Sequence, residues 1–274
     1  MRAPWAFSVV LLAGSGCAPN VPPGRSVSVG TSSHGYLRSG VRMPLAGPGF
    51  KVVRDPEAAF GTARMVGLIT RAAAAVERRL GPGPDLRVGD LSLEAGGRIE
   101  GHGSHRAGRD ADVLYFARDA AGRPADPGAM AFRRTGEGER DGRRYRLDTT
   151  RTWALVEAML TDSEVEVQWI FCSHGIKVLL IEEALAQGEG ADLELVRRAA
   201  WILHRPSNSR PHDDHLHVRI FCSEEERALG CADTAPLWAW SSADEKLPAS
   251  SATDEEILAA LGSEPEGTGR VAAH

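Results

Sequence analysis

Residues 212–221 read His-Asp-Asp-His-Leu-His-Val-Arg-Ile-Phe, and they restrict the fold more than any other part of the 274-residue chain. From His215 onward polar and apolar side chains alternate, which is the period of a β-strand with one face on a core. Leu216, Val218 and Ile220 then point inward, while His215 and His217 share the opposite face, with Asp213 in the same parity. His-Asp pairs of this kind also occur on helices of metal phosphohydrolases. Here the strict alternation and Pro211 just upstream favour an extended segment.

A second concentration of the same residue types lies in Gly101-His102-Gly103-Ser104-His105-Arg106-Ala107-Gly108-Arg109-Asp110-Ala111-Asp112. The chain has 9 His, and five of them fall in these two short segments, each with paired Asp. Packing alone does not cluster imidazole and carboxylate in this way, whereas a divalent ion such as zinc needs both. Asp112 starts an apolar run, Val113 to Phe116, that reads as a strand, a place where Asp is disfavoured. A local rule broken beside a His cluster points to a site. For His105, Asp112 and His217 a merely structural role is the weaker reading, and of His215 and His217 one can bind a metal while the other handles a proton; His102 stands equally as a loop residue with no role. Asp110 reads as a turn or surface carboxylate, and His174 and His204 as ordinary surface or half-buried His.

The rest of the chain reads as α+β, an antiparallel central sheet flanked by helices and long loops. Helical spacing runs over Glu57–Leu80 and ends at Gly81-Pro82-Gly83-Pro84, and further helices are expected over Thr149–Leu160, Ile176–Ala186 and Leu193–Leu203. Leu86–Leu93, Val165–Phe171 and His215–Phe221 read as strands. Asp119–Arg144, rich in Gly, Pro and Arg, reads as a long excursion. Beyond Ser241 the chain is polar, with one helical patch at Glu255–Leu261. A net charge of -5 gives no basic face for phosphate neutralisation and excludes a general nucleic-acid binder.

Arg2, the apolar run Trp5–Ala13 and the small residues Gly14-Ser15-Gly16 ahead of Cys17 have the layout of a bacterial export signal. The position of Cys17 resembles a lipoprotein signal, in which that Cys carries lipid; an ordinary signal peptide with a chance Cys remains the alternative. The expected organisation is a signal at 1–16, a Pro- and Gly-rich tether at 17–27, one domain at 28–240 and a polar tail at 241–274, working in the periplasm, with membrane contact only through Cys17. In an oxidising compartment Cys222 and Cys231, bracketing a short polar segment, are the natural disulfide, and Cys172 reads as a buried thiol. No C-x-x-C spacing exists, so a zinc site built mainly from Cys is excluded.

At its two motifs the chain resembles the penicillin-insensitive murein endopeptidases, zinc metallopeptidases related to lysostaphin, the D-Ala-D-Ala peptidases and the hedgehog domain. Ser104-His105-Arg106-Ala107-Gly108-Arg109-Asp110-Ala111-Asp112 matches the family's S-H-x-x-G-x-D-x-D, and His212-Asp213-Asp214-His215-Leu216-His217 matches its H-D-D-H-x-H. The flanks agree at Ala95-Gly96-Gly97-Arg98 and at His204-Arg205-Pro206, and the likeness extends over roughly Ser28 to Cys231. It implies one Zn2+ per chain on His105, Asp112 and His217. It also implies hydrolysis of peptide crosslinks in peptidoglycan by a water activated at the ion, with His215 as general base and acid and His212 close by. A D-Ala-D-Ala carboxypeptidase shares this chemistry, and a lipoprotein that binds metal or cell wall without turnover is the alternative outside enzymes. The full ligand set beside a proton-handling His215 favours turnover.

Overall fold

The computed structural model describes residues 24–206, 209–238 and 240–241. The expected signal, the tether up to Pro23 and the tail helix at Glu255–Leu261 lie outside them.

Strand β1 (Val27–Gly30) pairs with β2 (Gly35–Arg38), and β3 (Val41–Arg42) pairs with β6 (Phe60–Gly61); between these lie β4 (Ala46–Gly47) and β5 (Phe50–Val52). Helix α1 (Ala63–Leu80) follows. It begins six residues later than the spacing of Glu57–Leu80 suggests, because Pro56 opens a short 3-10 turn and Thr62 caps the helix by accepting from the Met65 N–H at 3.2 Å. Gly81, at φ 74, ends it.

Strands β7 (Leu86–Val88) and β8 (Asp110–Leu114) come next, then β9 (Ala117–Asp119), β10 (Pro124–Ala125), β11 (Glu137–Arg140) and β12 (Arg143–Leu147). The last four form their own antiparallel sheet, in the order β10-β9-β12-β11. The excursion expected over 119–144 is built on a small sheet; its strands are short and mostly exposed, so they carry no apolar alternation to read.

Helix α2 (Thr149–Leu160), capped by Asp148, leads into β13 (Val167–Phe171), α3 (His174–Leu185), α4 (Leu193–Ile202), β14 (Leu203–His204), β15 (His215–Ile220) and α5 (Glu224–Ala228). The main sheet has seven strands in the order β14-β13-β15-β8-β7-β5-β4. Its centre, β13-β15-β8-β7, is antiparallel as expected, while β14 on β13 and β5 on β7 are parallel.

One face of this sheet is apolar. Leu203, Ile170, Val218 and Ala111 lie in register across four strands, and all are fully buried. Helices α1 to α4 pack pairwise in chain order in the same hydrophobic core. The other face carries, in the neighbouring register, His204, Phe171, His217 and Asp112. A one-residue slip would bury that polar row and expose the core, so register and site are fixed together.

Candidate metal centre

Asp112 on β8 is the register partner of His217 on β15, and Asp110 is the partner of Arg219. Both aspartates therefore share one face with both strand histidines, as the period of two requires. His105 reaches the same point from the loop before β8. It holds a left-handed backbone, φ 64, with a fully buried ring. Such a conformation in a non-glycine residue costs about 1–3 kcal/mol and persists where surrounding contacts enforce it. Here the Leu91 carbonyl lies 2.6 Å from His105 Nδ1 and the Asp110 carboxylate accepts the His105 backbone N–H.

Three atoms converge. His105 Nε2, His217 Nδ1 and Asp112 Oδ1 form a triangle with every side 3.2 Å. Ligands at three corners of a tetrahedron with zinc-type bonds lie about 3.3–3.4 Å apart. Tautomers decide what these atoms offer. With Nδ1 of His105 donating to the Leu91 carbonyl, its Nε2 carries a bare lone pair. With Nε2 of His217 donating to Asp110 Oδ1 at 2.8 Å, its Nδ1 does too. Asp112 Oδ1 is buried and accepts no hydrogen bond. Two lone pairs and a carboxylate oxygen facing one point repel one another unless a proton or a metal cation sits between them. The donor set thus fits a divalent metal with hard and borderline ligands.

The electrostatics agree. Burial works to lower the pKa of His105, yet Asp112, with Asp110 behind it, raises it to about 9. Burial likewise opposes ionisation of the two aspartates, but His105 and His217 hold Asp112 well below the usual carboxylate range, and Arg219 with His217 does the same for Asp110. The centre is built to hold positive charge.

Around the triangle stand three further histidines. His215 Nε2 lies 3.5 Å from Asp112 Oδ1, and its Nδ1 is 2.6 Å from Asp214 Oδ1. His212 packs edge-on to His215 and His217, with centroids 5.0 and 5.6 Å away. Its backbone is left-handed at φ 53, and its carbonyl accepts from Tyr115 Oη at 2.9 Å. Burial and the neighbouring His217 and His215 push the His212 pKa down to about 4, so its ring is neutral at neutral pH. His102 Nε2 is 3.1 Å from Asp90 Oδ2 and its Nδ1 is 3.9 Å from Asp112 Oδ2. His102, His105 and Asp112 form one group with metal-ligand spacing, and His212, His215 and His217 form another.

All five sequence-singled residues, His105, Asp112, His212, His215 and His217, thus meet in one place. Asp110 is a correction. It is no surface carboxylate but a fully buried acceptor that fixes the His217 ring and binds Arg219 at 2.7 Å. The signal was available, since the parity that pairs His215 with His217 also pairs Asp110 with Asp112. Asp213 precedes β15 rather than sharing its face, and its carbonyl accepts from the Phe132 N–H. His174 is half-buried and His204 exposed, in line with expectation. The structure also joins Cys222 to Cys231 in a disulfide and buries the free Cys172.

Arg109 carried no sequence signal of its own. It is 1% exposed and bonds Ser28 Oγ, Asp233 Oδ1 and the carbonyls of Ile220 and Ala232, tying β1, β15 and the disulfide segment together behind the site.

Comparison with known proteins points the same way. The family model described as penicillin-insensitive murein endopeptidase matches residues 28–261. A protein of that name from Klebsiella pneumoniae is 31% identical over 221 residues, covering 78% of this chain and 72% of its own. One from Haemophilus influenzae is 28% identical over 230 residues, covering 82% and 73%. With a match over most of its length, and with both motifs folded into one centre, the chain belongs to the penicillin-insensitive murein endopeptidase family, a family of metallopeptidases.

Proposed function

We propose that the protein hydrolyses peptide crosslinks of peptidoglycan, as a metal-dependent endopeptidase with one Zn2+ held by His105 Nε2, Asp112 Oδ1 and His217 Nδ1. The observation that carries this reading is the 3.2 Å triangle of bare donor atoms around an orphaned Asp112 oxygen. A zinc ion there supplies Lewis acidity, polarising a carbonyl and making water acidic enough to deprotonate near neutral pH.

The remaining work falls to the protein. Asp110 and the Leu91 carbonyl hold the two rings in the tautomer that frees the donor atoms. His215 takes the proton of the attacking water and returns it to the leaving amine, oriented by Asp214 at 2.6 Å. His212, kept neutral, is placed to donate a hydrogen bond to the oxygen that gains charge. The export-type segment before Cys17 supports a periplasmic site of action with a lipid anchor on that residue, and the Cys222–Cys231 disulfide suits an oxidising compartment.

The test is mass spectrometry of crosslinked muropeptides after incubation with zinc-loaded protein, alongside metal analysis of variants. Dimers split to monomers are expected, and His105→Ala, Asp112→Ala and His217→Ala each lose metal and activity together. Loss of terminal D-Ala alone would make the protein a carboxypeptidase. One zinc per chain in the triple variant would reject the ligand set.

A further inference from the structure

The functional reading uses β8, β15 and the loops but leaves unexplained why the site face continues as aromatic floor. Across the sheet, Phe171 is the register partner of both His217 and His204, and Trp169 is the partner of Arg219. Trp169 and Phe171, two residues apart on β13, stack with centroids 5.5 Å apart and planes 26° apart. His204 lies 4.8 Å from Trp169 at 37°. The Phe171 ring stands 5.3 Å from that of His217, so the floor begins at the metal centre and runs outward along the sheet.

Phe171 and His204 lie outside the hydrophobic core, and Trp169 packs against its edge with part of its ring exposed. Their immediate strand neighbours Ile170 and Leu203 fill the opposite, helix-packed face, while Trp169 and Phe171 are half-buried and His204 exposed. Trp169 is held by design. Gln168 forms a bulge against β15, and its side-chain amide donates to the Thr234 carbonyl at 2.6 Å. The Gln168 carbonyl accepts the indole N–H of Trp238 at 2.7 Å, which sets Trp238 edge-on to Trp169 at 4.9 Å. Trp240 stacks on Trp238, and Trp201 lies at the margin, 38% exposed. Four of the 6 Trp in the chain thus meet around Trp238, beside Trp169.

We infer that Trp169, Phe171 and His204 form a subsite that stacks a sugar ring, the N-acetylated amino sugar from which the cleaved peptide hangs. The inference rests on the peptidoglycan reading and deepens it. A pyranose presents a face of C–H bonds and an edge of hydroxyls and amide. The half-exposed Trp169 ring offers that face apolar area at low entropic cost, with Phe171, whose ring carries the Arg219 guanidinium 5.4 Å from its centroid, beside it. The edge needs groups that both donate and accept. His204 is one, because packing of part of its ring against Trp169 and the nearby Lys177 lower its pKa and favour the neutral imidazole. An open floor in continuity with the centre also suits a polymer better than a closed pocket would, since the substrate must lie across it.

Two substrates with the same crosslinked peptide test this, one retaining its disaccharides and one stripped of them by an amidase. The parent should cleave the sugar-bearing substrate with kcat/KM about tenfold higher, the worth of a stacked ring. In Trp169→Ala that ratio should fall to about one, chiefly through KM, and in Trp169→Phe most of it should return. Free disaccharide should shift the tryptophan emission of the parent and leave that of Trp169→Ala unchanged, with circular dichroism verifying the fold of each variant. Equal cleavage of both substrates by the parent would overturn the inference, as would a native-like Trp169→Ala that keeps the preference. An emission shift with stripped peptide but not with disaccharide would assign the floor to peptide and also overturn it. If the parent cuts neither substrate, the hydrolytic reading fails by itself, and the disaccharide titration still decides whether the floor binds sugar.

Discussion

The Nε2 atom of His217 lies 2.8 Å from Oδ1 of Asp110, the register partner of Arg219 on the adjacent strand. This contact selects the tautomer that turns the His217 Nδ1 lone pair toward His105 and Asp112. With the proposed ligand set, Asp110 would act on a metal that it does not touch. Asp110→Ala should weaken zinc affinity by about 10–100-fold, the usual effect of removing such a partner. Asp110→Asn, which keeps an acceptor oxygen without the charge, should lose less. Competition titrations against a chromogenic chelator measure both; parent-like affinity in Asp110→Ala would show that the ring needs no orienting partner.

How much of this was legible in the sequence depends on what each residue answers to. The strand carrying His215 and His217 was readable because alternation is local: Leu216, Val218 and Ile220 fill the core one residue out of phase with the two histidines. Helix α2 matches its expected span of Thr149–Leu160, since Asp148 caps it and its apolar spacing is regular. The start of α1 was misplaced, because the residues before Thr62 bury side chains as a 3-10 turn and a strand, which also produce apolar spacing. Strands β9 to β12 were missed because an exposed sheet of short, charged strands gives no periodic signal. The role of Arg109 was invisible for a different reason. Its partners Ser28, Ile220, Ala232 and Asp233 are brought to it by the tertiary fold alone.

Removing Arg109 should be costly to stability. Its guanidinium is buried and paired with Asp233 at 2.9 Å, so Arg109→Ala leaves that carboxylate to Arg227 at 3.3 Å and the Cys222 N–H, and takes the guanidinium from the Ile220 and Ala232 carbonyls. Breaking one partner of a buried pair costs about 3–5 kcal/mol, and with Arg227 still in place the low end of that range applies. Urea unfolding at neutral pH should show that loss, and a change below about 1 kcal/mol would mean that water replaces the guanidinium. Asp233→Asn should cost less, because an amide oxygen still accepts.

Stability should also respond to acid through Asp162. Arg71 on α1 holds this carboxylate with two hydrogen bonds, 2.7 and 2.9 Å, and the backbone N–H groups of Glu164 and Val165 add two more. Burial pushes the Asp162 pKa up, but Arg71 and these N–H groups prevail and lower it. A carboxyl whose folded pKa is depressed adds stability above its unfolded value of about 3.9 and loses it as pH falls through the folded pKa. Asp162→Asn should therefore lower Tm near neutral pH, and the gap from the parent should close as pH drops below about 4. A gap that persists at low pH would place the effect in packing rather than charge.

His215 should be catalytic without being needed for metal. It stands on the same strand face as His217, but its Nε2 lies outside the 3.2 Å triangle, 3.5 Å from the shared Asp112 oxygen, and its Nδ1 is engaged by Asp214. Three protein ligands already leave one tetrahedral position open, so the site is complete without it. His215→Ala should retain nearly one zinc per chain while the rate falls by about 10²–10⁴-fold. Burial pulls the His215 pKa down, yet Asp214 and then Asp112 outweigh it and leave it raised. An imidazole that acts as base works only unprotonated, so the parent should lose activity as pH falls through the His215 pKa, which Asp214 raises and a bound Zn2+ would lower from its metal-free position. The variant's residual rate should lack that limb, and Asp214→Asn should shift the limb to lower pH. Metal loss in His215→Ala would make it a ligand. Retained metal with a rate within a few-fold of the parent would move the proton transfer to His212, whose pKa, pushed down to about 4, predicts a limb at far lower pH.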